Sequence, residues 1–417
     1  MKVDTLLRNL RIAGRDDPVD LAMADGRIAA IGPRLVCEAV EAEDFAGAFA
    51  FPGFVESHIH LDKACILGRC RICEGTLAEA VAETARAKAG FTEDDVHARA
   101  GRVLDRAIAA GTTAMRSFVE VDPRAGMRSL SALLRLRAER AHAIDLQICA
   151  FAQEGLTQEP ETERMLDAAL EGGADLVGGC PYTDPDPAGH VARIFDLAAT
   201  HDVDVDFHLD FDLDPSWSHL DLVVAETERR GWGGRVTIGH VTKLAMMPPA
   251  EVEAIGRRLA SAGVALTVLP ATDLFLTGRD HAVARPRGLA PAHRLAALGV
   301  TTTVATNNVL NPFTPFGDAA LGRMANLYAN VAQLASDAEI ATVFDMVGAA
   351  AARALRRGFG LAVGGPADVV VLDAPDPVAA IREVAAPLAG WKRGRRTFVR
   401  PRPTLFDADG AGRPPAA

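Results

Sequence analysis

The chain has 417 residues, 49% hydrophobic side chains and a formal net charge of −11. This length and composition fit a large folded protein with a well-filled core, and they exclude a disordered chain. The negative charge argues against a nucleic-acid-binding surface, which needs clustered basic residues.

The beginning of the chain carries charged residues throughout and has no apolar signal-peptide core. No segment reaches the roughly 18 uncharged apolar residues that a membrane span requires. Six scattered cysteines are typical of a reducing compartment. We therefore predict a cytoplasmic protein with a small-molecule substrate and without nucleic-acid or membrane partners. Homo-oligomerisation stays open.

The two ends of the chain predict strands rather than helices. LLRNLRIAG and LAMADGRIAAIGP alternate apolar and polar positions, and Asp25-Gly26 is a hairpin turn pair. The stretch GGPADVVVLDAPDP near the other end is again strand-like. We predict that residues 1–52 and 360–405 form one small β-sandwich built from both termini. A flexible Gly/Pro/Ala-rich tail should follow over 406–417.

Between these ends, short apolar or β-branched segments alternate with helix-length segments. In chain order the short segments are FVESHIH, TTAMRSFVEV, IDLQICAFAQ, ADLVGGC, VDVDFHLD, RVTIGHV, GVALTVLP and GVTTTVATNN. This rhythm predicts an α/β fold, a (β/α)8 TIM-type barrel over residues 53–359. Function in such a barrel lies at the C-terminal strand ends.

Polar residues occupy those strand ends. His58 and His60 lie two positions apart on the first predicted strand, so both side chains point to the same face and could reach one object such as a metal ion. His208 and His240 end the fifth and sixth predicted strands, and Gln153 ends the third. The strand ends therefore predict a polar site at one end of the barrel.

The segments FPGFVESHIHLDKA, AFAQEG, DFHLD, TIGH and NNVLNPFTPFG resemble the amidohydrolase superfamily, and most closely its cytosine deaminase-like subgroup. The resemblance covers nearly the whole chain. It implies hydrolysis of a C–N bond in a ring compound with one divalent metal ion, zinc or iron, bound by His58, His60 and His208. It also implies that His240 contacts the attacking water and that Gln153 contacts the substrate.

Three motifs depart from that subgroup. Thr306-Asn307-Asn308 stands where HDD is usual, Phe211 where a glutamate is usual, and Phe118 where a histidine is usual. Asn307 can ligate a metal weakly but cannot accept the proton that hydrolysis moves. We therefore expect no ordinary cytosine deamination. The substrate-binding residues, with Gln153, should be Phe118, Phe211 and Asn308 in a more apolar pocket.

Two hypotheses follow. The first is an active hydrolase of a cyclic amide, amidine or heteroaromatic amine, with Asn307 at the site and His240, Asp210 or Asp212 as the substitute base. Asp210 shares a face with His208 if the strand is regular. The second is a non-hydrolytic barrel, which would be an impaired pseudoenzyme, a binding subunit, or a lyase or isomerase. Metal content and a screen for ammonia release would separate the two.

Overall fold

The computed structural model describes residues 1–408 and 412–413. The N-terminal part forms a four-stranded sheet from β1 (Lys2–Leu10), β2 (Val19–Ala24), β3 (Arg27–Gly32) and β4 (Glu38–Asp44). β2 is antiparallel to β1 and to β3, whereas β4 is parallel to β1. The turn between β2 and β3 is Asp25-Gly26, where both φ angles are positive (51° and 74°). This is the backbone that the Asp-Gly pair predicts.

The next strand, β5 (Phe49–Phe51), joins the C-terminal sheet. Eight parallel strands come after it, and each pairs with the next one along the chain. They are β6 (Phe54–Ile59), β7 (Thr112–Glu120), β8 (Asp145–Ala152), β9 (Leu176–Gly179), β10 (Asp204–Leu209), β11 (Val236–His240), β12 (Val264–Val268) and β13 (Thr302–Val304). A bridge between Ile59 and Asn307 links the segment after β13 back to β6. The predicted TIM-type barrel is therefore confirmed.

The C-terminal sheet contains β14 (Val369–Leu372), β15 (Pro387–Lys392) and β16 (Arg395–Val399), with β5 at its other edge, and all its neighbours are antiparallel. Apolar side chains from the two terminal sheets share one core, which includes Leu7, Leu10, Leu21, Val369, Val371 and Trp391. Sheets from both termini are thus present, and the boundaries 1–52 and 360–405 stay a prediction. β17 (Leu405–Phe406) pairs with β18 (Gly412–Arg413), and the rest of the predicted tail over 406–417 lies largely outside the described residues.

Helices connect and cover the strands. They are α1 (Leu77–Lys88), α2 (Glu93–Ala109), α3 (Arg128–Arg140), α4 (Pro160–Glu171), α5 (Pro187–His201), α6 (Leu220–Arg230), α7 (Pro249–Ala262), α8 (Pro270–Leu276), α9 (Ala292–Ala296), α10 (Leu321–Ala332), α11 (Asp337–Met346), α12 (Ala349–Ala354) and α13 (Pro377–Arg382). Thr76 and Thr92 cap the starts of α1 and α2 through their side chains. Among the described helices, none has the length and apolar character to cross a membrane.

The terminal sheet is joined tightly to the barrel. Pro52 and Gly53 alone separate β5 from β6, the strand that carries His58. Gly53 has a φ of 98°, and a Cβ atom at this position would lie 2.4 Å from Cγ2 of Thr113. Only glycine fits this connection without a shift of the backbone.

Candidate active site

Three histidines meet inside the mouth of the barrel. His58 lies on β6, His60 directly follows it, and His208 lies on β10. The Nε2 atom of His208 is 3.1 Å from Nε2 of His58 and 3.0 Å from Nε2 of His60. All three side chains are buried, and together they form a group that can hold a metal ion.

The protonation state of these rings favours a bound cation. Burial is the main reason that the pKa values of His58, His60 and His208 lie well below 6.5, so the rings are neutral near pH 7. The single lone pair on Nε2 of a neutral His208 cannot accept hydrogen bonds from both neighbours. A cation between the three nitrogens satisfies all of them. The residues therefore fit one divalent metal ion, as the sequence predicted.

Aromatic rings orient the histidines. The centroid of the Phe118 ring lies 4.0 Å from that of His58 and 4.9 Å from that of His208. Phe151 stacks on His208 at 4.9 Å with an interplanar angle of 9°. Within residues 1–408 and 412–413, no hydrogen-bond partner reaches Nδ1 of His58, His60 or His208. Metal-binding histidines usually donate from this nitrogen to an acceptor, so aromatic packing takes over that orienting role here.

His240 lies beside this cluster at the end of β11. Its ring centroid is 5.5 Å from that of His208 and 6.1 Å from that of His58. Its Nδ1 atom lies 2.7 Å from Oδ1 of Asp273, a buried residue of α8. Burial raises the pKa of Asp273, and the neighbouring His240 opposes this shift. The contact leaves Nε2 of His240 as the ring nitrogen that can meet a substrate or a water molecule.

The backbone is strained at three of the predicted site residues. Asp210, His240 and Asn307 have φ angles of 49°, 70° and 63°, in the left-handed region that non-glycine residues seldom adopt. Each of them lies at or after the C-terminal end of a barrel strand. Such strain is frequent at functional sites, and the positions agree with the prediction that the site lies at this end of the barrel.

Asn307 and Asn308 have different surroundings. The backbone N–H of Asn307 donates to the carbonyl of His58 (2.8 Å), and the N–H of His60 donates to the carbonyl of Asn307 (2.7 Å). In the described part of the chain, the buried Oδ1 of Asn307 has no hydrogen-bond partner. Oδ1 of Asn308 instead accepts from Nδ2 of Asn311 at 2.7 Å. Asn307 thus has an uncommitted oxygen beside the strand of the histidines, whereas Asn308 holds its own loop.

Asp210 and Asp212 are occupied by the loop that follows β10. The carboxylate of Asp210 accepts from the hydroxyl of Ser218 and from the backbone N–H of His219 (3.0 Å). Asp212 lies 3.2 Å from Nζ of the buried Lys243. Because these contacts use the carboxylates, both residues fit a role in fixing the loop. A catalytic role for Asp210 stays a prediction.

An apolar cluster lies beside His240. The Phe211 ring centroid is 4.2 Å from that of His240, and Phe118 is fully buried behind the metal-binding rings. The cluster around Phe211 draws on α1, α8 and the loops after β9, β10 and β13, and its members are Ala80, Phe211, Leu276 and Phe313, with Leu77, Val81, Tyr182 and Phe275 packed against them. Apolar residues thus surround Phe211, and Phe118 packs on the histidines. Contact of either ring with a substrate stays a prediction.

A second cluster at the same end of the barrel consists of carboxylates around a lysine. Nζ of Lys88, the last residue of α1, is 2.9 Å from Glu120, 2.7 Å from Asp122 and 2.5 Å from Glu154. These carboxylates form another group spaced as metal ligands would be. The ammonium group of Lys88 already occupies the space that a cation would need.

Gln153 lies between the two clusters. Its Oε1 accepts from Nζ of Lys63 at 3.1 Å, and its Nε2 is 3.4 Å from the sulfur of Cys180. Nζ of Lys63 also pairs with Glu120 at 2.6 Å and lies 4.7 Å from the centroid of the Phe313 ring. Gln153 is half-buried at the end of β8, next to a cation and close to the apolar cluster.

Asp273 and Lys88 did not emerge from the sequence. Asp273 follows β12 by five positions, and the rule that function lies at C-terminal strand ends would have found it if applied to that strand. Lys88 ends a helix with an ordinary amphipathic pattern, where a lysine predicts an exposed residue. Its burial depends on its contacts with Glu120, Asp122 and Glu154 at the ends of β7 and β8, and no local pattern reports those contacts.

The chain is similar to known amidohydrolases over most of its length. The amidohydrolase family profile matches residues 41–398. N-isopropylammelide isopropyl amidohydrolase of Pseudomonas sp. (strain ADP) is 26% identical over 402 residues, which cover 94% of this chain and 96% of that protein. Pterin deaminase of Rhizobium rhizogenes (strain K84 / ATCC BAA-868) is 30% identical over 361 residues, covering 85% of this chain and 82% of the relative.

Among solved structures, 5-methylcytosine deaminase from Klebsiella pneumoniae liganded with 5-fluorocytosine is similar with a TM-score of 0.91 and 29% identity. The similarity covers 97% of this chain and 100% of that one. This chain belongs to the amidohydrolase family. It is a hydrolase with cytosine deaminase-like relatives, and these comparisons do not favour the non-hydrolytic alternative.

Proposed function

We propose that this chain hydrolyses a non-peptide C–N bond in a cyclic or heteroaromatic nitrogen compound, by deamination or by amide cleavage. The observation that carries the proposal is the convergence of three neutral imidazole nitrogens, on His58, His60 and His208, with His240 and the apolar cluster around Phe211 beside them. One zinc or iron ion bound there would lower the pKa of a water molecule toward neutrality. The protein's own residues then have to move protons and hold the ring.

Proton transfer falls to His240. Water forms a bond to the ring carbon, one of its protons passes to Nε2 of His240, and this proton then passes to the leaving nitrogen as the C–N bond breaks. Ammonia or an amine is released, and no redox change occurs. Asn307 can contribute an uncharged oxygen to the site but accepts no proton. Asp210 fixes the loop that carries Phe211.

The substrate should be a ring with an apolar substituent. Phe211 and its neighbours offer apolar surface next to His240, and Gln153 offers a polar contact at the end of β8. Phe118 and Asn308 contribute to the shape of the pocket through the histidines and the loop. Relatives named for N-isopropylammelide, pterin and 5-methylcytosine support a heterocycle of this kind.

Ordinary cytosine deamination does not fit, because Phe211 cannot protonate a ring nitrogen as a carboxylic acid can. The test is ammonia and amine release by zinc- or iron-loaded protein from cytosine, 5-methylcytosine, pterin and N-alkylated triazines. We expect turnover of at least one substituted ring, and cytosine turnover about 10²-fold or more below it. His60→Ala is the matched inactive control. Absence of release from every ring, or efficient release from cytosine, would contradict the proposal.

A further inference from the structure

The contact between His240 and Asp273 has the geometry of a carboxylate that orients a histidine. Oδ1 of Asp273 lies 2.7 Å from Nδ1 of His240, and both side chains are almost completely buried. A carboxylate has no proton to donate at this position, so Nδ1 of His240 must carry the proton. Nε2 is then unprotonated in the neutral ring, which is the form that can accept a proton from water.

Asp273 is itself firmly held. Its Oδ2 atom accepts from the backbone N–H of Leu269 at 3.1 Å, and its own carbonyl accepts from the Thr277 hydroxyl at 2.6 Å. The two oxygens of the carboxylate therefore have separate partners, the start of α8 on one side and the His240 ring on the other. Because each oxygen has its own partner, the carboxylate cannot turn freely, and Oδ1 stays directed at Nδ1 of His240.

We propose that Asp273 is the positioning residue for His240, and that together they supply the charged proton acceptor that Asn307 cannot be. The proposal rests on the proposed function, because His240 is assigned there to proton transfer. A carboxylate on Nδ1 also stabilises the imidazolium that forms when Nε2 takes the proton. The negative charge thus acts through His240 from α8, and not directly on the attacking water from the segment after β13.

A purely structural role for Asp273 is the competing explanation, since Oδ2 also holds the first turn of α8. Two substitutions separate the roles. Asp273→Leu removes both hydrogen bonds, and Asp273→Asn keeps the shape of the side chain but loses the charge and has a single amide oxygen for the two N–H groups, on Leu269 and on His240. Thr272→Val is the matched control: it sits next to Asp273 on α8 and loses a buried hydrogen bond to Thr314 (2.6 Å). It does not touch His240.

The first measurement needs no substrate. Nitrogen-15 spectra of histidine-labelled, zinc-loaded protein report which nitrogen of His240 carries the proton. We expect protonated Nδ1 and unprotonated Nε2 in the native protein and in Thr272→Val, and loss of this fixed tautomer in Asp273→Leu. A native His240 protonated on Nε2, or an unchanged tautomer in Asp273→Leu, would overturn the proposal even if no substrate were ever found.

The second measurement uses whichever ring compound the protein hydrolyses. Asp273→Asn should lower kcat by about 10²–10⁴-fold with little change in KM, while Thr272→Val keeps both close to native. An equal loss in Thr272→Val, or an effect of Asp273→Asn on KM alone, would assign Asp273 to structure only. Failure of all substrates would contradict the proposed function and leave the tautomer result to decide on Asp273.

Discussion

Two clusters at the mouth of the barrel both have the spacing of metal ligands, and they solve the same electrostatic problem differently. The carboxylates of Glu120, Asp122 and Glu154 surround the ammonium group of Lys88. Within the described part of the chain, no side-chain cation lies between the Nε2 atoms of His58, His60 and His208, and these rings are neutral. The carboxylates are neutralised by Lys88, a part of the protein, and therefore stabilise the fold. The neutral histidine nitrogens have no such partner and require a metal ion from solution.

The pKa values express this difference. Burial would raise the pKa of Glu120, but Lys63 and Lys88 outweigh it and bring the value to about 2. In the histidine cluster, burial and the nearby positive groups act in the same direction and lower the pKa values. Glu120 is therefore ionised and neutralised within the protein, and the histidines are neutral and ready to bind a metal.

The largest expected effect is the loss of the metal from the histidine cluster. His208→Ala removes the nitrogen that lies close to both other ligands, so metal content should fall from about one equivalent to background, and hydrolysis with it. His201→Ala, on α5 and paired with Asp167, is the matched histidine control. Elemental analysis after growth with zinc or iron measures this. Full metal content in His208→Ala would mean that the ligands are misassigned.

The carboxylate cluster should respond in stability rather than in metal content. Lys88→Met leaves Asp122 buried without its lysine and leaves Glu120 paired with Lys63 alone, and we expect a loss of about 3–5 kcal/mol in the free energy of unfolding. Zinc stoichiometry of the folded protein should not change. Arg86→Met is the control, because this exposed residue of the same helix pairs only at the surface. Denaturant unfolding that gives equal stability for both variants would contradict the comparison.

The pH dependence of Lys88→Met sharpens the same comparison. In the native protein the folded pKa of Glu120, about 2, lies below its ordinary 4.5. Glu120 therefore stabilises the fold above about pH 4.5, and this contribution is lost as the pH falls toward 2. Without Lys88, Lys63 alone opposes the effect of burial, so the folded pKa of Glu120 should lie above its native value. The variant should therefore lose less stability than the native protein as the pH falls from 4.5 toward 2. Unfolding curves between pH 2 and 6 would show parallel profiles if Lys88 did not control this ionisation.

A smaller effect concerns the aromatic support of the histidines. Phe118→Leu removes the ring that packs on His58 and His208, and we expect metal affinity to fall by about 10–100-fold, as for loss of an orienting hydrogen bond. Phe195→Leu removes a buried ring that packs on Phe207 elsewhere in the core, so it controls for general loosening. Competitive zinc titration measures both. Equal affinities would show that packing does not orient the ligands.

The smallest effect should come from Asn307→Asp. A carboxylate is a stronger ligand than an amide oxygen, so zinc should bind several-fold more tightly. Hydrolysis should gain little unless Phe211→Glu restores an acid near the ring. Zinc affinity and ammonia release of the two single variants and the double variant test this. Unchanged or weaker zinc binding by Asn307→Asp would mean that Asn307 does not face the metal.

The barrel and the positions of the histidines could be predicted from the sequence, because both depend on regular spacing. The barrel followed from eight short segments in a regular order, and the pairing of His58 with His60 from the two-residue period of a strand. His208 and His240 followed from their places at strand ends. The partners of these residues could not be predicted, because the contacts of His240 with Asp273 and of Lys88 with Glu120 span 33 and 32 positions and depend on helix packing. The packing of Phe118 on His58 and His208 was not predicted either, and its contact with a substrate stays a prediction.

The short connection between the terminal sheet and the barrel matters for protein engineering. Pro52 and Gly53 alone separate β5 from β6, the strand of His58, and Gly53 lies directly against Thr113. This short connection leaves little freedom for the C-terminal sheet to move relative to β6. A chimera that exchanges the terminal sheets with those of a relative should be joined before β5, and β5 should come from the same parent as the barrel. With a junction at Pro52-Gly53, a difference in sheet position between the two parents would displace β6 and with it His58.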